Sequence, residues 1–118
     1  HGDLGMIEQD DVVIMISNSG ETAEVLSLLP SLEIIGSRLI AITSKENSTL
    51  AKVSDVALIY SYESEADHLG LAPTTSSTVA LVIGDALAVV LCKLRKFENT
   101  DFHLYHPGGS LGKQLSEK

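Results

Sequence analysis

Three short apolar runs constrain the fold of this chain more strongly than any other feature. The runs are Asp11–Ser17, Arg38–Thr43 and Asp55–Tyr60, and their interiors are continuous Val, Ile, Leu, Met and Ala. Runs of this length without polar alternation are typical of strands covered on both faces. Helical segments separate them, so the order is β-α-β-α-β. We predict an α/β fold, a three-layer α/β/α sandwich around a parallel sheet with right-handed crossovers.

The rest of the chain divides into helices and one long polar loop. Pro30 is expected to bend or break the first helix, because it removes a backbone donor. The polar stretch Ser61–Ser77 follows the third strand, and a glycine-rich turn with a short helix ends the chain. With 118 residues and 44% hydrophobic content, residues 1–118 are predicted to form one globular domain. The other predicted helices cover about residues 21–35, 48–53 and 78–97.

Charge and composition exclude several classes of partner. The formal net charge of −8 opposes binding to nucleic acid or to an anionic membrane surface, since both reward clustered Lys and Arg. The longest apolar segment, Val79–Cys92, contains Gly84 and Asp85 and is shorter than the roughly 18 to 20 residues of a membrane span. Cys92 has no partner for an internal disulfide and is expected to be buried, which fits a cytoplasmic protein.

A hydroxyl-rich turn directly after the first strand is the main candidate site. We call residues Ser17–Thr22 the phosphate turn, because Ser17, Asn18, Ser19 and Thr22 are short neutral donors around Gly20. The following helix adds unpaired N–H groups and the positive end of its dipole, which together favour a bound phosphate. The alternative is an ordinary helix cap, since Ser and Asn commonly begin helices.

A second hydroxyl cluster, Thr74–Thr78, lies at the start of the long helix. Thr74 and Ser76 are candidate contacts to the hydroxyls or the phosphate of a substrate. Redundant capping of the helix explains the same residues equally well.

Several further motifs give the chain a family resemblance. They are His1-Gly-Asp-Leu-Gly-Met6, Gly70-Leu-Ala-Pro-Thr74, Gly84-Asp-Ala-Leu-Ala88 and His106-Pro-Gly-Gly109, in addition to the phosphate turn. In this order they resemble sugar isomerase (SIS) domains, and among these the arabinose-5-phosphate isomerases. Members of that family have an upstream strand with a Gly-Lys-Ser loop, and many continue into CBS domains. The resemblance therefore implies that the chain is the C-terminal portion of an SIS domain.

The resemblance implies an aldose–ketose isomerase that interconverts D-ribulose 5-phosphate and D-arabinose 5-phosphate. A base moves a proton between neighbouring carbons through an enediol, so no metal or organic cofactor is expected. The product would feed synthesis of Kdo, an acid of bacterial lipopolysaccharide. The resemblance assigns candidate catalytic carboxylates to Glu24 and Glu65, either of which would otherwise be interpreted as a solvated side chain. The alternatives are a regulatory SIS domain that binds a phosphosugar without catalysis, or an isomerase of another sugar phosphate.

Two histidines complete the predicted site by resemblance. His106 precedes a rigid Pro and two flexible Gly residues, and histidine changes charge near neutral pH, as proton transfer requires. The matching family histidine can come from a neighbouring subunit, which implies a homo-oligomer, specifically a tetramer. His1 matches the His-Gly-Asp segment and is the second candidate. The spacing of His103 and His106 could suit zinc, but Pro107 disfavours a helical pair and no metal site is predicted.

Overall fold

The computed structural model describes residues 2–116. The chain divides into two compact units with bounds at His1–Leu81 and Val82–Lys118. The first unit contains a three-stranded, fully parallel sheet with strand order β1-β2-β3. The predicted α/β class with a parallel sheet is thereby confirmed. The strands are β1 (Val12–Ile16), β2 (Arg38–Thr43) and β3 (Val56–Ile59), and the helices are α1 (Ala23–Leu26), α2 (Leu29–Ile35), α3 (Thr49–Val53), α4 (Thr75–Leu94), α5 (Asn99–Tyr105) and α6 (Ser110–Ser116), with a short 3-10 helix at Asp3–Met6.

One face of the sheet carries the core of the first unit. Met15 pairs with Ala41 in the parallel register, and both are buried in a cluster with Leu39. Leu32 of α2 and Leu50 of α3 complete that cluster, so these two helices contribute to the layer on this face. Alternate residues of a strand point to opposite faces, and a fixed register therefore keeps this apolar set together.

The opposite face of the sheet is apolar as well but accessible. Val12, Ile14 and Ile16 of β1 are 45–55% exposed, and Val56 of β3 is 49% exposed. The continuous apolar runs in the sequence therefore supply residues to both faces, as in sheets that have layers on both sides. Ile42 in the central strand is fully buried on this second face.

The segment after β1 forms two short helices instead of one bent helix. Helix α1 ends at Leu26, and α2 begins at Leu29 with Pro30 in its first turn. Proline is tolerated there because its missing N–H would have no partner inside the helix. The predicted break is confirmed, and Gly36 ends α2 in the left-handed conformation.

Helix α4 is longer than the apolar segment that the sequence analysis measured. It spans 20 residues, Thr75–Leu94, and begins three residues before the predicted start. By length and composition alone it is sufficient to cross a bilayer, which corrects the argument from segment length. One such helix is weak evidence for a membrane protein, because core helices of other proteins pass the same test.

The second unit contains the end of α4 and the two short helices α5 and α6. Helix α5 begins with a reciprocal capping box, in which Glu98 and Asp101 bond each other's backbone N–H groups.

Cys92 is exposed on α4, so the expectation that it is buried was wrong. Apolar side chains surround α4 on all sides, so packing of one helix face against a core does not account for all of them.

Candidate phosphosugar site

The phosphate turn lies at the carboxyl end of β1 and is built around Ser17. Ser17 is only 5% exposed. Its hydroxyl oxygen accepts the N–H of Gly20 at 3.0 Å, and it lies 2.7 Å from the Thr22 hydroxyl. A mutual hydroxyl bond uses one of the two protons. Because Ser17 is buried and Thr22 is exposed, Thr22 is the residue of this pair that a ligand can reach.

Gly20 is required at its position by two independent constraints. Its φ of +67° lies in the left-handed region, which is costly for residues with a Cβ. A Cβ at this position would also collide with the side chain of Ser48, which caps α3 through the backbone N–H of Ala51. The turn is thereby packed directly against the start of α3.

The first turn of α1 presents backbone donors beside these hydroxyls. Within residues 2–116, the N–H groups of Ala23, Glu24 and Val25 donate to no acceptor of the chain. Ser19 is exposed, and its hydroxyl oxygen accepts the N–H of Glu21, so its proton is not used in that bond. Unpaired N–H groups with neighbouring hydroxyl donors form a setting that suits a phosphate dianion.

Asn18 differs from the other residues of the phosphate turn, because its side chain makes hydrogen bonds to residues at the end of another strand. Its Oδ1 accepts the Tyr60 hydroxyl at 2.8 Å, and its Nδ2 donates to the Tyr62 hydroxyl at 2.8 Å. Its backbone carbonyl accepts the hydroxyls of Thr43 and Ser44 at the end of β2. Asn18, which was predicted as a phosphate donor, therefore connects the carboxyl ends of all three strands. One of the two hydrogens on its Nδ2 is left for a ligand.

The loop after β3 is organised by Glu65. Its Oε1 accepts the backbone N–H of Ser76 at 2.8 Å, and its Oε2 accepts the Ser76 hydroxyl at 2.7 Å. These hydrogen bonds, chiefly the one from the Ser76 side chain, lower the pKa of Glu65. Ser76 is 2% exposed. Thr74 is likewise used locally, since its hydroxyl accepts the N–H of Ala66 and donates to the carbonyl of Ala72.

The two predicted carboxylates thus differ in their surroundings. Glu24 is exposed in the first turn of α1, next to the phosphate turn, whereas Glu65 is held at the start of α4. A third carboxylate, Glu21, was not predicted, and its Oε1 accepts the N–H of Thr49 at 2.6 Å. That bond lowers the pKa of Glu21 and ties the phosphate turn to α3.

The predicted histidines belong to other parts of the chain. His106 follows α5 in the second unit, where its ring stacks on Phe102 with a centroid distance of 4.6 Å. His1 lies outside the described residues. The catalytic assignments of Glu24, Glu65, His106 and His1 therefore remain predictions. Among the described residues, no three His, Cys, Asp or Glu side chains are grouped closely enough to hold a metal ion.

Tyr60 and Tyr62 were missed by the sequence analysis, although both lie at the carboxyl end of β3. Their rings stack at a centroid distance of 6.2 Å. The signal was available, because ligands of parallel α/β sheets bind beyond the carboxyl ends of the strands. Two tyrosine hydroxyls in i, i+2 spacing at that edge were therefore candidates for contacts at the site.

Known proteins resemble this chain over most of its length. The model of the SIS domain family matches residues 1–90. The chain belongs to the SIS domain family. The Escherichia coli arabinose 5-phosphate isomerase KpsF is 55% identical over 98% of this chain, and the chain covers 36% of that protein. The Pseudomonas aeruginosa arabinose 5-phosphate isomerase KdsD is 52% identical over 98% of this chain and is covered over 35% of its length.

Solved structures give the same result. The Escherichia coli CFT073 protein c3406, solved in complex with arabinose 5-phosphate, has a TM-score of 0.86 and 58% identity. The alignment covers 91% of this chain and 57% of c3406. This SIS chain spans about a third of the length of the curated relatives it matches.

Proposed function

We propose that this chain forms the phosphosugar-binding part of an arabinose-5-phosphate isomerase, which interconverts D-arabinose 5-phosphate and D-ribulose 5-phosphate. The observation that carries the proposal is the phosphate turn, where free N–H groups of α1 lie beside the hydroxyls of Ser19 and Thr22. Relatives that are more than half identical over nearly the whole chain are named as arabinose 5-phosphate isomerases.

The phosphate is bound by neutral donors and not by a lysine or arginine of the turn. The chain carries a net charge of −8, so attraction to the substrate must be local. The dipole of α1 and the hydroxyls supply that local attraction. Ser17 supports the arrangement from within, because its oxygen fixes the N–H of Gly20.

The chemistry requires a base close to the bound sugar. The base removes the proton from C2 of the aldose, and returning that proton to C1 of the enediol gives the ketose. Glu24 is the stronger candidate of the two carboxylates, since it is exposed in the first turn of α1, next to the phosphate turn. Glu65 is a weaker base than an ordinary glutamate, because the hydrogen bonds from Ser76 lower its pKa.

We further propose that His106 moves protons between the two substrate oxygens, that His1 assists, and that Thr74 and Ser76 contact the hydroxyls or the phosphate of the substrate. The active protein is a cytoplasmic homotetramer that needs no cofactor. Its product feeds Kdo and lipopolysaccharide synthesis. These parts of the proposal rest on the family resemblance.

A regulatory phosphosugar-binding domain is the second candidate function. The observation that favours it is the state of Glu65, whose two oxygens are both engaged by Ser76. If Glu24 serves only to orient the ligand, the first unit binds a sugar phosphate without a base.

The deciding experiment uses the intact protein and D-ribulose 5-phosphate. Chromatography of the reaction should detect D-arabinose 5-phosphate, and the reverse reaction should consume it. D-Ribose 5-phosphate serves as the stereochemical control, since it differs from D-arabinose 5-phosphate only at C2. Tight binding of D-arabinose 5-phosphate without turnover would support the regulatory domain instead.

A further inference from the structure

A chain of hydrogen bonds connects the loop after β3 to the phosphate turn. The Tyr60 hydroxyl lies 2.8 Å from Asn18 Oδ1, and Asn18 Nδ2 lies 2.8 Å from the Tyr62 hydroxyl. Asn18 is separated from the two tyrosines by 42 and 44 positions in sequence. The chain of bonds is therefore a tertiary contact at the edge of the sheet where the ligand is expected.

Burial of Tyr60 fixes the direction of the bonds. Tyr60 is 7% exposed, so its hydroxyl proton needs an acceptor inside the protein. Asn18 Oδ1 is that acceptor, and burial raises the pKa of Tyr60, which keeps the proton in place. The amide group of Asn18 must then present its Nδ2 to Tyr62, because an amide has its acceptor and its donors on opposite sides.

Tyr62 is consequently an acceptor within this chain of bonds, and its own proton is unused. Among residues 2–116, the Tyr62 hydroxyl has no acceptor for that proton. Tyr62 is half-buried, unlike Tyr60, so part of its side chain remains accessible. Accepting a bond from an amide also polarises the O–H group and makes it a stronger donor.

We propose that Tyr62 is a further substrate-binding residue, whose hydroxyl donates a hydrogen bond to an oxygen of the bound sugar phosphate. The proposal rests on the proposed function, because the ligand is the one that the phosphate turn binds. Asn18 is its positioning residue and Tyr60 sets the orientation of Asn18. The acceptor is either a phosphate oxygen or an oxygen of the sugar.

The experiment measures affinity of the intact protein for D-arabinose 5-phosphate and for inorganic phosphate by isothermal titration. Tyr62→Phe should weaken binding of D-arabinose 5-phosphate by about 10-fold or more if the acceptor is the charged phosphate, and by about 2- to 10-fold if it is a neutral oxygen of the sugar. An equal loss for inorganic phosphate assigns the acceptor to the phosphate, and a loss for D-arabinose 5-phosphate alone assigns it to the sugar. Tyr105→Phe is the matched control, since Tyr105 is an exposed tyrosine of the second unit.

A fluorinated tyrosine at position 62 separates donation to the ligand from a purely structural role. Fluorination makes the hydroxyl a better donor and a poorer acceptor. Measured at a pH where the fluorinated hydroxyl keeps its proton, affinity should rise above that of the unmodified protein if Tyr62 donates to the ligand. A lower affinity with a lower thermal midpoint would show that Tyr62 serves only as the acceptor for Asn18, which overturns the proposal.

The remaining outcomes are also decisive. If the unmodified protein binds D-arabinose 5-phosphate and Tyr62→Phe binds it equally well, the role of Tyr62 is refuted while the proposed function stands. If the unmodified protein binds no sugar phosphate, the proposed function fails and the role of Tyr62 fails with it.

Discussion

Glu65 holds Ser76 with both of its carboxylate oxygens, one on the backbone N–H at 2.8 Å and one on the hydroxyl at 2.7 Å. Ser76 lies in the first turn of α4, where a negative charge interacts favourably with the helix dipole. The contact fixes the loop after β3 on the helix that follows it. Glu65 therefore behaves as a helix cap in this structure.

The first prediction concerns the pH dependence of stability. The pKa of Glu65 lies below its ordinary value of 4.5, so the cap stabilises the fold above that pH and is lost as the pH falls through the lowered value. The thermal midpoint should therefore fall on acidification below about pH 4.5, and the fall should be smaller in Glu65→Gln. Calorimetry between pH 7 and pH 3 checks this. Identical pH profiles for the two proteins would contradict a stabilising carboxylate.

The second prediction separates the two candidate bases. Glu24→Gln should lower kcat by a factor of about 100 or more, with KM within a few-fold, because it removes basicity while keeping size. Glu65→Gln should lose less, since its carboxylate is already engaged by Ser76. Steady-state kinetics of both variants of the intact protein measure the difference. A larger loss in Glu65→Gln would make Glu65 the base.

The third prediction tests the close approach at Gly20. Gly20→Ala should destabilise the fold by about 2–5 kcal/mol, from the left-handed backbone and from collision with Ser48. Gly70→Ala is the matched control, since its φ of +66° is the same and a Cβ there has no atom within 4 Å. The control should cost only about 1 kcal/mol. Urea unfolding curves give both values, and equal costs would refute the packing argument.

The fourth prediction distinguishes the two serines of the phosphate turn. Ser19→Ala should weaken binding of inorganic phosphate by about 10-fold, as loss of a hydrogen bond to a charged group does, and should leave stability unchanged because Ser19 is exposed. Ser17→Ala should also lower the free energy of unfolding by about 1 kcal/mol, since it removes the buried bond to Gly20. Titration calorimetry with thermal unfolding measures both. Unchanged phosphate affinity in both variants would reduce the turn to a helix cap.

Local pattern predicted the fold well. Strand β2 was predicted at its observed bounds because a run of Leu and Ile between a charged and a hydroxyl residue is unambiguous. The predicted short terminal helix corresponds to α6, whereas α5 was missed, because Asn, Thr and Asp are weak helix formers. The reciprocal capping box of Glu98 and Asp101 is the signal that was overlooked.

The site was predicted in part, because its elements are local but its contacts are not. The hydroxyls of the phosphate turn follow β1 directly and could be identified from sequence alone. The bonds from Asn18 to Tyr60 and Tyr62 depend on how three strands align, which no window of sequence contains. The hydrogen bonds between Glu65 and Ser76 depend likewise on the path of an irregular loop.

The last prediction joins His106 to assembly. The sheet face with Val12 and Ile14 and the exposed apolar side chains of α4 favour association, since exposed apolar surfaces of this kind rarely remain uncovered. If His106 serves a neighbour's site, a mixture of inactive His106→Ala and inactive Glu24→Gln proteins should regain activity, because mixed assemblies contain sites with both native residues. Light scattering or mass spectrometry must show that subunits exchange. A mixture of His106→Ala with His106→Asn is the matched control and should stay inactive. Exchange without recovered activity in the first mixture would mean that His106 does not act across subunits.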